Sequence, residues 1–215
     1  MLPLFREGNV RMHSTIQNSV VEAIAAVHQL QTASSLAFLE NASQCIAETF
    51  RAGGKLIIAG NGGSLCDAAH FAEELTGQFR RRRKALPAIA LTEPGHITCV
   101  GNDFGFEEVF ARGVEAFGRA GDCFVGLSTS GNSPNIVRAF EVARQRGLKT
   151  LSFLGREGGC LKGIADLELI ISGFPHSDRV QEAHMAAIHI LIERVEQLLF
   201  APSPVEAIAA RVGSK

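Results

Sequence analysis

Lys55-Leu56-Ile57-Ile58-Ala59-Gly60-Asn61-Gly62-Gly63-Ser64 is the stretch whose reading decides the fold. The short apolar run after Lys55 has the pattern of a strand, Lys55–Ala59, buried on both faces. The three glycines let the backbone turn tightly and bring its N–H groups close to a ligand. From Ser64 the period becomes helical: Leu65, Ala68, Ala69, Ala72 and Leu75 form one apolar face of a helix over Ser64–Gln78. Ser64 followed by Asp67 reads as its capping signal. Such a helix start offers unpaired donors and a positive dipole end, which suits an anion, although a plain chain reversal has the same composition. Two nucleotide loops are excluded by residue type. The dinucleotide fingerprint needs glycine where Leu65 stands, and the ATP loop needs Gly-Lys to open a helix, whereas Gly54-Lys55 opens a strand.

The same alternation continues downstream. Ala88–Leu91, Cys123–Leu127, Thr150–Leu154 and Leu167–Ile171 read as further strands. Glu107–Phe117, Pro134–Gln145 and Ser177–Leu198 read as helices. Together they predict an α/β fold: a three-layer α-β-α sandwich around a mainly parallel five-stranded sheet. Ligands in such folds sit outside the carboxyl ends of the strands. Upstream, Ser14–Arg51 is helical, with Val20, Val21, Ile24, Val27 and Leu30, then Leu36, Leu39, Ile46 and Phe50, near helical spacing. Apolar residues on more than one side suit a helix buried between subunits. One domain is expected over residues 14–200, N-terminal helices included, with 1–13 and 201–215 as peripheral tails.

Composition narrows the function. The chain has 215 residues, 46 % hydrophobic and 20 % charged, and a formal net charge of −1, which excludes global disorder and wholesale electrostatic binding to nucleic acid or membrane. No apolar run approaches a membrane span and no secretory signal is visible, so a cytoplasmic protein is expected. Cys45, Cys66, Cys99, Cys123 and Cys160 are odd in number and show no Cys-x-x-Cys spacing, which speaks for reduced thiols. Arg80–Arg83 with Lys84 reads as a solvated basic run.

Ser128-Thr129-Ser130-Gly131-Asn132-Ser133-Pro134 follows the third strand. Ser133 is a natural N-cap and Pro134 fits the first helical position. Capping explains one hydroxyl and leaves Ser128, Thr129 and Ser130 to surround a phosphate as neutral donors. This loop and Gly60–Ser64 resemble those of the sugar isomerase (SIS) domain, which binds phosphosugars. His70-Phe71-Ala72-Glu73-Glu74-Leu75-Thr76-Gly77, Gly101-Asn102-Asp103-Phe104-Gly105-Phe106 and Asp178-Arg179-Val180-Gln181-Glu182, continuing through His184 to His189, resemble the phosphoheptose isomerases within it. The likeness runs from about Ser14 to Leu198.

His70 and Glu74, at i and i+4, share a helix face as an ion pair or as two arms of a site. Gln181 and His189 stand about 80° apart around their helix and can converge on one ligand, but spacing does not select them. The resemblance does. It implies a zinc site of His70, Glu74, Gln181 and His189, with Glu74 as base and His189 as acid. The phosphate would be held by Ser64, Ser128, Thr129, Ser130 and Ser133 with the backbone of Gly62 and Gly63. Asn61, Asp103, Asp178, Glu74 and Gln181 would face the sugar. Asp103 could otherwise cap the turn at Gly105, and Asp178 the final helix. The implied reaction interconverts sedoheptulose 7-phosphate and D-glycero-D-manno-heptose 7-phosphate, towards activated heptose for bacterial lipopolysaccharide. The implied assembly is a homotetramer with sites between subunits, where His189 would reach a neighbour's phosphate loops. A rival reading is a non-catalytic SIS protein that binds phosphosugars and associates with the replication initiator. The presence of the whole acid–base set favours the enzyme.

Overall fold

The computed structural model describes residues 5–200, with side chains from Ser14 onward. Five short apolar runs form the sheet: β1 (Leu56–Gly60), β2 (Ala88–Ala90), β3 (Cys123–Ser128), β4 (Lys149–Gly155) and β5 (Leu167–Ile171). They lie in the order β2-β1-β3-β4-β5 and every pairing is parallel, with Ile58 beside Val125 and Phe153 beside Leu169. Successive side chains point to opposite faces, and both faces are covered. Leu56, Ile58, Cys123, Val125, Leu151 and Phe153 pack under α2 (Ala33–Arg51), α3 (Gly63–Thr76) and α7 (Ser177–Phe200). Ile57, Ala59, Phe124 and Leu154 face α4 (Pro94–Asp103), α5 (Val109–Phe117) and α6 (Pro134–Gln145). The expected three-layer sandwich is therefore the observed one.

The differences are local. Residues Gln29–Gln31 form a 3-10 turn that divides the N-terminal helical region into α1 (Phe5–His28) and α2. The Gln29 amide anchors that break, donating to the Ser172 carbonyl at 2.8 Å and accepting from its N–H at 3.0 Å. Helix α4 has no counterpart among the expected helices: Gly95 and Gly101 weaken its propensity, and Val100 is its one buried residue. It is set instead by its start. The Glu93 carboxylate accepts from the N–H groups of Gly95 and His96, and Pro94 occupies the first turn. The helix expected from Glu107 opens as a 3-10 turn, Phe106–Glu108, before α5.

Residues 1–4 and 201–215 lie outside the described residues, and the tail reading there goes with them; the backbone from Phe5 belongs to α1. Ile16, Val20, Val21 and Ile24 of α1 are more than half exposed in this single chain, whereas Ala26 and Leu30 join the core. No helix among the described residues is long and apolar enough to cross a membrane.

His184 belongs to the core. It is fully buried, sits edge-on to Phe153 with centroids 5.6 Å apart, and its Nε2 lies 3.1 Å from the Leu154 carbonyl. Burial pushes its pKa down to about 4 from 6.5, so the folded ring is neutral. Between those values the unfolded chain binds a proton that the folded chain refuses, so stability is lost as pH falls through that window. Denaturant unfolding from pH 7 to 4 is expected to show His184→Gln losing less stability than the parent, by up to about 1.4 kcal/mol per pH unit between pH 6.5 and 4. Asp67, whose burial pushes its pKa up to about 6, is common to both proteins and cancels in that difference.

Candidate active site

The β1 turn enters α3 differently from the capping-box reading. Gly62, at φ +56°, occupies the N-cap and α3 opens at Gly63, so Ser64 stands inside the first turn and does not cap it. Ser64 is buried, and its hydroxyl meets the Gln181 amide of α7 at 3.4 Å. Asp67 does not return to the cap either, and its Oδ2 is buried without a protein partner. The glycines are needed for close approach. A Cβ on Gly60 would fall 2.4 Å from the Ser64 carbonyl oxygen, and one on Gly63 would fall 2.6 Å from the Gln181 amide. Asn61 exchanges two amide hydrogen bonds with Asn135 of α6, at 2.8 and 2.9 Å. That pair ties the β1 turn to the helix that follows β3.

The β3 turn is organised by its own hydroxyls. Ser133 occupies the N-cap of α6 and Pro134 its first turn, as expected, but the Ser133 hydroxyl points to Ser128 Oγ at 2.9 Å and not to a helix N–H. Ser128 Oγ also accepts from the Gly131 N–H at 3.1 Å, and Ser130 Oγ accepts from Asn132 N–H at 3.1 Å. Thr129 donates to Ser177 Oγ at the start of α7, at 3.0 Å. Gly131 has φ +67°, and a Cβ there would lie 1.9 Å from the Gly158 carbonyl oxygen. Two helix N-termini and a ring of neutral hydroxyls thus share one edge of the sheet, an arrangement suited to a phosphate dianion.

The side chains able to do acid–base work stand further along α3. His70 and Glu74 lie on one face, Nε2 to Oε1 3.3 Å apart. His189 of α7 brings its Nε2 to 3.2 Å from that of His70. One ligand atom from each residue falls within 4.8 Å of the others, and all three residues are half-buried. The Phe79 ring stacks on His189, centroids 5.7 Å apart, and fixes the plane of the imidazole. The two edges that meet at His70 Nε2, 3.2 and 3.3 Å, are near the roughly 3.3 Å edge of a zinc tetrahedron with bonds of about 2.0–2.1 Å, and the third pair lies within 4.8 Å. The chemistry of these donors, two imidazoles and a carboxylate contributed by one chain, is compatible with a metal ion such as zinc.

Gln181 is placed elsewhere. Eight residues before His189, it stands about 12 Å back along the α7 axis, at the level of Ser64. Asp103 ends α4 in local contacts, accepting from Asn102 Nδ2 at 2.7 Å, and does not cap the Gly105 turn. Asp178 is exposed in the first turn of α7. Hydrogen bonds from the Arg179 side chain and N–H hold its carboxyl below the usual range. Sequence reasoning missed Phe79, Asn135 and Ser177. A polar Asn135 on an otherwise apolar helix face is the one signal that could have found any of them.

The SIS domain family matches residues 20–155. The phosphoheptose isomerase of Fusobacterium nucleatum is 56 % identical over 167 residues, which cover 78 % of this chain and 86 % of that protein. The chain belongs to the phosphoheptose isomerase family. Two solved phosphoheptose isomerases agree in fold. That of Neisseria gonorrhoeae has a TM-score of 0.79 at 34 % identity, covering 86 % of this chain and 99 % of its own. That of Francisella tularensis has a TM-score of 0.81 at 32 % identity, covering 86 % and 98 %. In this phosphoheptose isomerase family member the SIS match holds both loops, His70 and Glu74, while His189 comes from α7 beyond it. Replacing Gly131 by alanine is expected to lower the unfolding free energy by about 2–4 kcal/mol in urea, since strain at positive φ adds to the carbonyl clash.

Proposed function

We propose that the chain isomerises sedoheptulose 7-phosphate to D-glycero-D-manno-heptose 7-phosphate through a cis-enediol. The observation that carries this reading is the convergence of Glu74 and His189 beside His70, on the helix that opens at the Gly60–Ser64 turn. Ser64 and His70 are separated by six residues of α3, a rise of about 9 Å. That is close to the span of an extended seven-carbon sugar phosphate from its carbonyl end to its phosphorus. The hydroxyls of Ser64, Ser128, Thr129, Ser130 and Ser133, with the backbone of Gly62 and Gly63, hold the phosphate. Asn61, Asp103, Asp178 and Gln181 serve the sugar hydroxyls.

With the phosphate anchored, carbons 1 and 2 reach the trio. Glu74 takes the proton from one carbon and returns it to its neighbour, a task for one carboxylate on one face of the enediol. His189 moves the accompanying proton between the two oxygens, a task for its Nδ1 when Nε2, which faces His70, is given to a metal. Phe79, stacked on His189, would limit rotation of that ring. His70, Glu74 and His189 would hold a zinc ion, with Gln181 kept on the substrate side of the site. When bound, the ion supplies Lewis-acid stabilisation of the charge on the enediol oxygens. One Glu74 oxygen faces His70, which leaves the other for the carbon-bound proton.

The exposed stripe Ile16, Val20, Val21 and Ile24 supports assembly as a homotetramer, in which α1 would be covered. Heptose supply for lipopolysaccharide, in the cytoplasm, is the setting that this reaction fits. The donor trio also favours catalysis over the rival reading of a phosphosugar-binding protein, which has no use for it.

Incubating the purified protein with sedoheptulose 7-phosphate is expected to yield the aldose; a protein that binds the ketose without making aldose overturns the reading. Glu74→Gln is expected to lower kcat by about 10²–10⁴-fold with the substrate still bound. Elemental analysis is expected to find zinc in stoichiometric amount, lost together with activity on chelation and absent from His70→Ala and His189→Ala.

A further inference from the structure

The basic run Arg80–Lys84 is not uniformly solvated. Arg81, Arg82 and Lys84 are exposed, but the Arg83 side chain is 2 % exposed and its Nε donates to the Glu196 carboxylate, itself 3 % exposed, at 2.7 Å. The rest of the guanidinium addresses the end of α3. Nη2 donates to the Glu74 carbonyl at 2.8 Å and Nη1 to the Leu75 carbonyl at 2.7 Å. A helix has no donors of its own left for carbonyls in its last turn, and a guanidinium fork supplies several in fixed geometry. One buried side chain thus grips the main chain of Glu74 and the helix that carries His189.

Its neighbours in the α3–β2 connection reinforce that grip. Phe79 stacks on His189, and Arg80 pairs with Glu193 at 2.6 Å. On α7, His189, Glu193 and Glu196 stand at i, i+4 and i+7 and form one stripe. The connection therefore lies along α7 as a strap touching three successive positions, the first of which is the candidate acid.

We propose that Arg83, acting through Glu196, is a positioning residue that sets Glu74 against His189. The reaction it serves rests on the function proposed above; the geometry it maintains does not. Removing one partner leaves a buried charge alone and endangers the fold, whereas replacing both by apolar residues of similar volume is often tolerated. The informative variant is therefore Arg83→Met combined with Glu196→Leu. It is expected to fold, with the His70–His189 nitrogen separation in crystals widened beyond 3.2 Å. Zinc affinity by chelator competition should fall about 10–100-fold, the usual effect of losing support for a ligand set. The kcat should fall with KM for the sugar phosphate unchanged, because the serine loops are untouched. Arg83→Lys, which keeps the charge and loses the fork, is expected to show smaller changes of the same kind, and it carries the same readouts should the double variant fail to fold. A folded variant with the parental imidazole separation, zinc affinity and kcat overturns the positioning role. If the parent neither isomerises the sugar nor binds zinc, the proposed function falls, and the imidazole separation in the variant alone decides the role of Arg83.

Discussion

The packing of α3 beside α7 on one face of the sheet is the constraint on which the site depends. Ala68, Phe71, Ala72 and Leu75 of α3 share a core with Ala183, Ala187, Ile188 and Leu191 of α7. The small alanines let the two helices approach closely while the larger residues fill the space above the strands. The helices run in the same direction, since Ser64 meets Gln181 near their starts and His70 meets His189 further on. Because each helix is internally rigid, the spacing between the Gly60–Ser64 turn and the trio of His70, Glu74 and His189 is set mainly by the backbone. Arg83 and Glu196 close the far end of that pair.

The loops obey a different constraint, which is lack of room. Gly60, Gly63 and Gly131 stand where any side chain would strike a carbonyl or an amide. The hydroxyls of Ser128 and Ser133 satisfy each other, and the Asn61 and Asn135 amides do the same. A phosphate bound here as proposed would meet groups whose positions are already decided, so little ordering cost would remain for binding.

Much of the fold was legible in the sequence because buried parallel strands advertise themselves as short apolar runs between helical patterns. Helix α4 was not, since Gly95 and Gly101 weaken its pattern, its apolar contact is confined to Ile97 and Val100, and Glu93, an unusual cap residue, starts it. The start of α3 was misread for a related reason: Ser64 and Asp67 satisfy a capping rule, but Gly62 reaches a backbone conformation that decides the cap first. At the site, His70 and Glu74 were visible as a pair because helical spacing is local. His189 was selected only by resemblance, because its meeting with His70 is a tertiary contact across two helices. Arg83 was hidden inside a run of its own kind, where no pattern separates the one buried guanidinium from its exposed neighbours.

If the proposed reaction is the one catalysed, the stretch of α3 between Ser64 and His70 would work as a measuring stick. Its hydrogen-bonded turns neither stretch nor shorten, so a ligand must bridge a preset interval to engage both ends at once. A sugar phosphate with fewer carbons could seat its phosphate and leave its carbonyl short of the imidazoles, or reach the imidazoles and leave the hydroxyl ring empty. Discrimination by chain length would then come from the pitch of one helix, without any residue devoted to rejecting the smaller molecule.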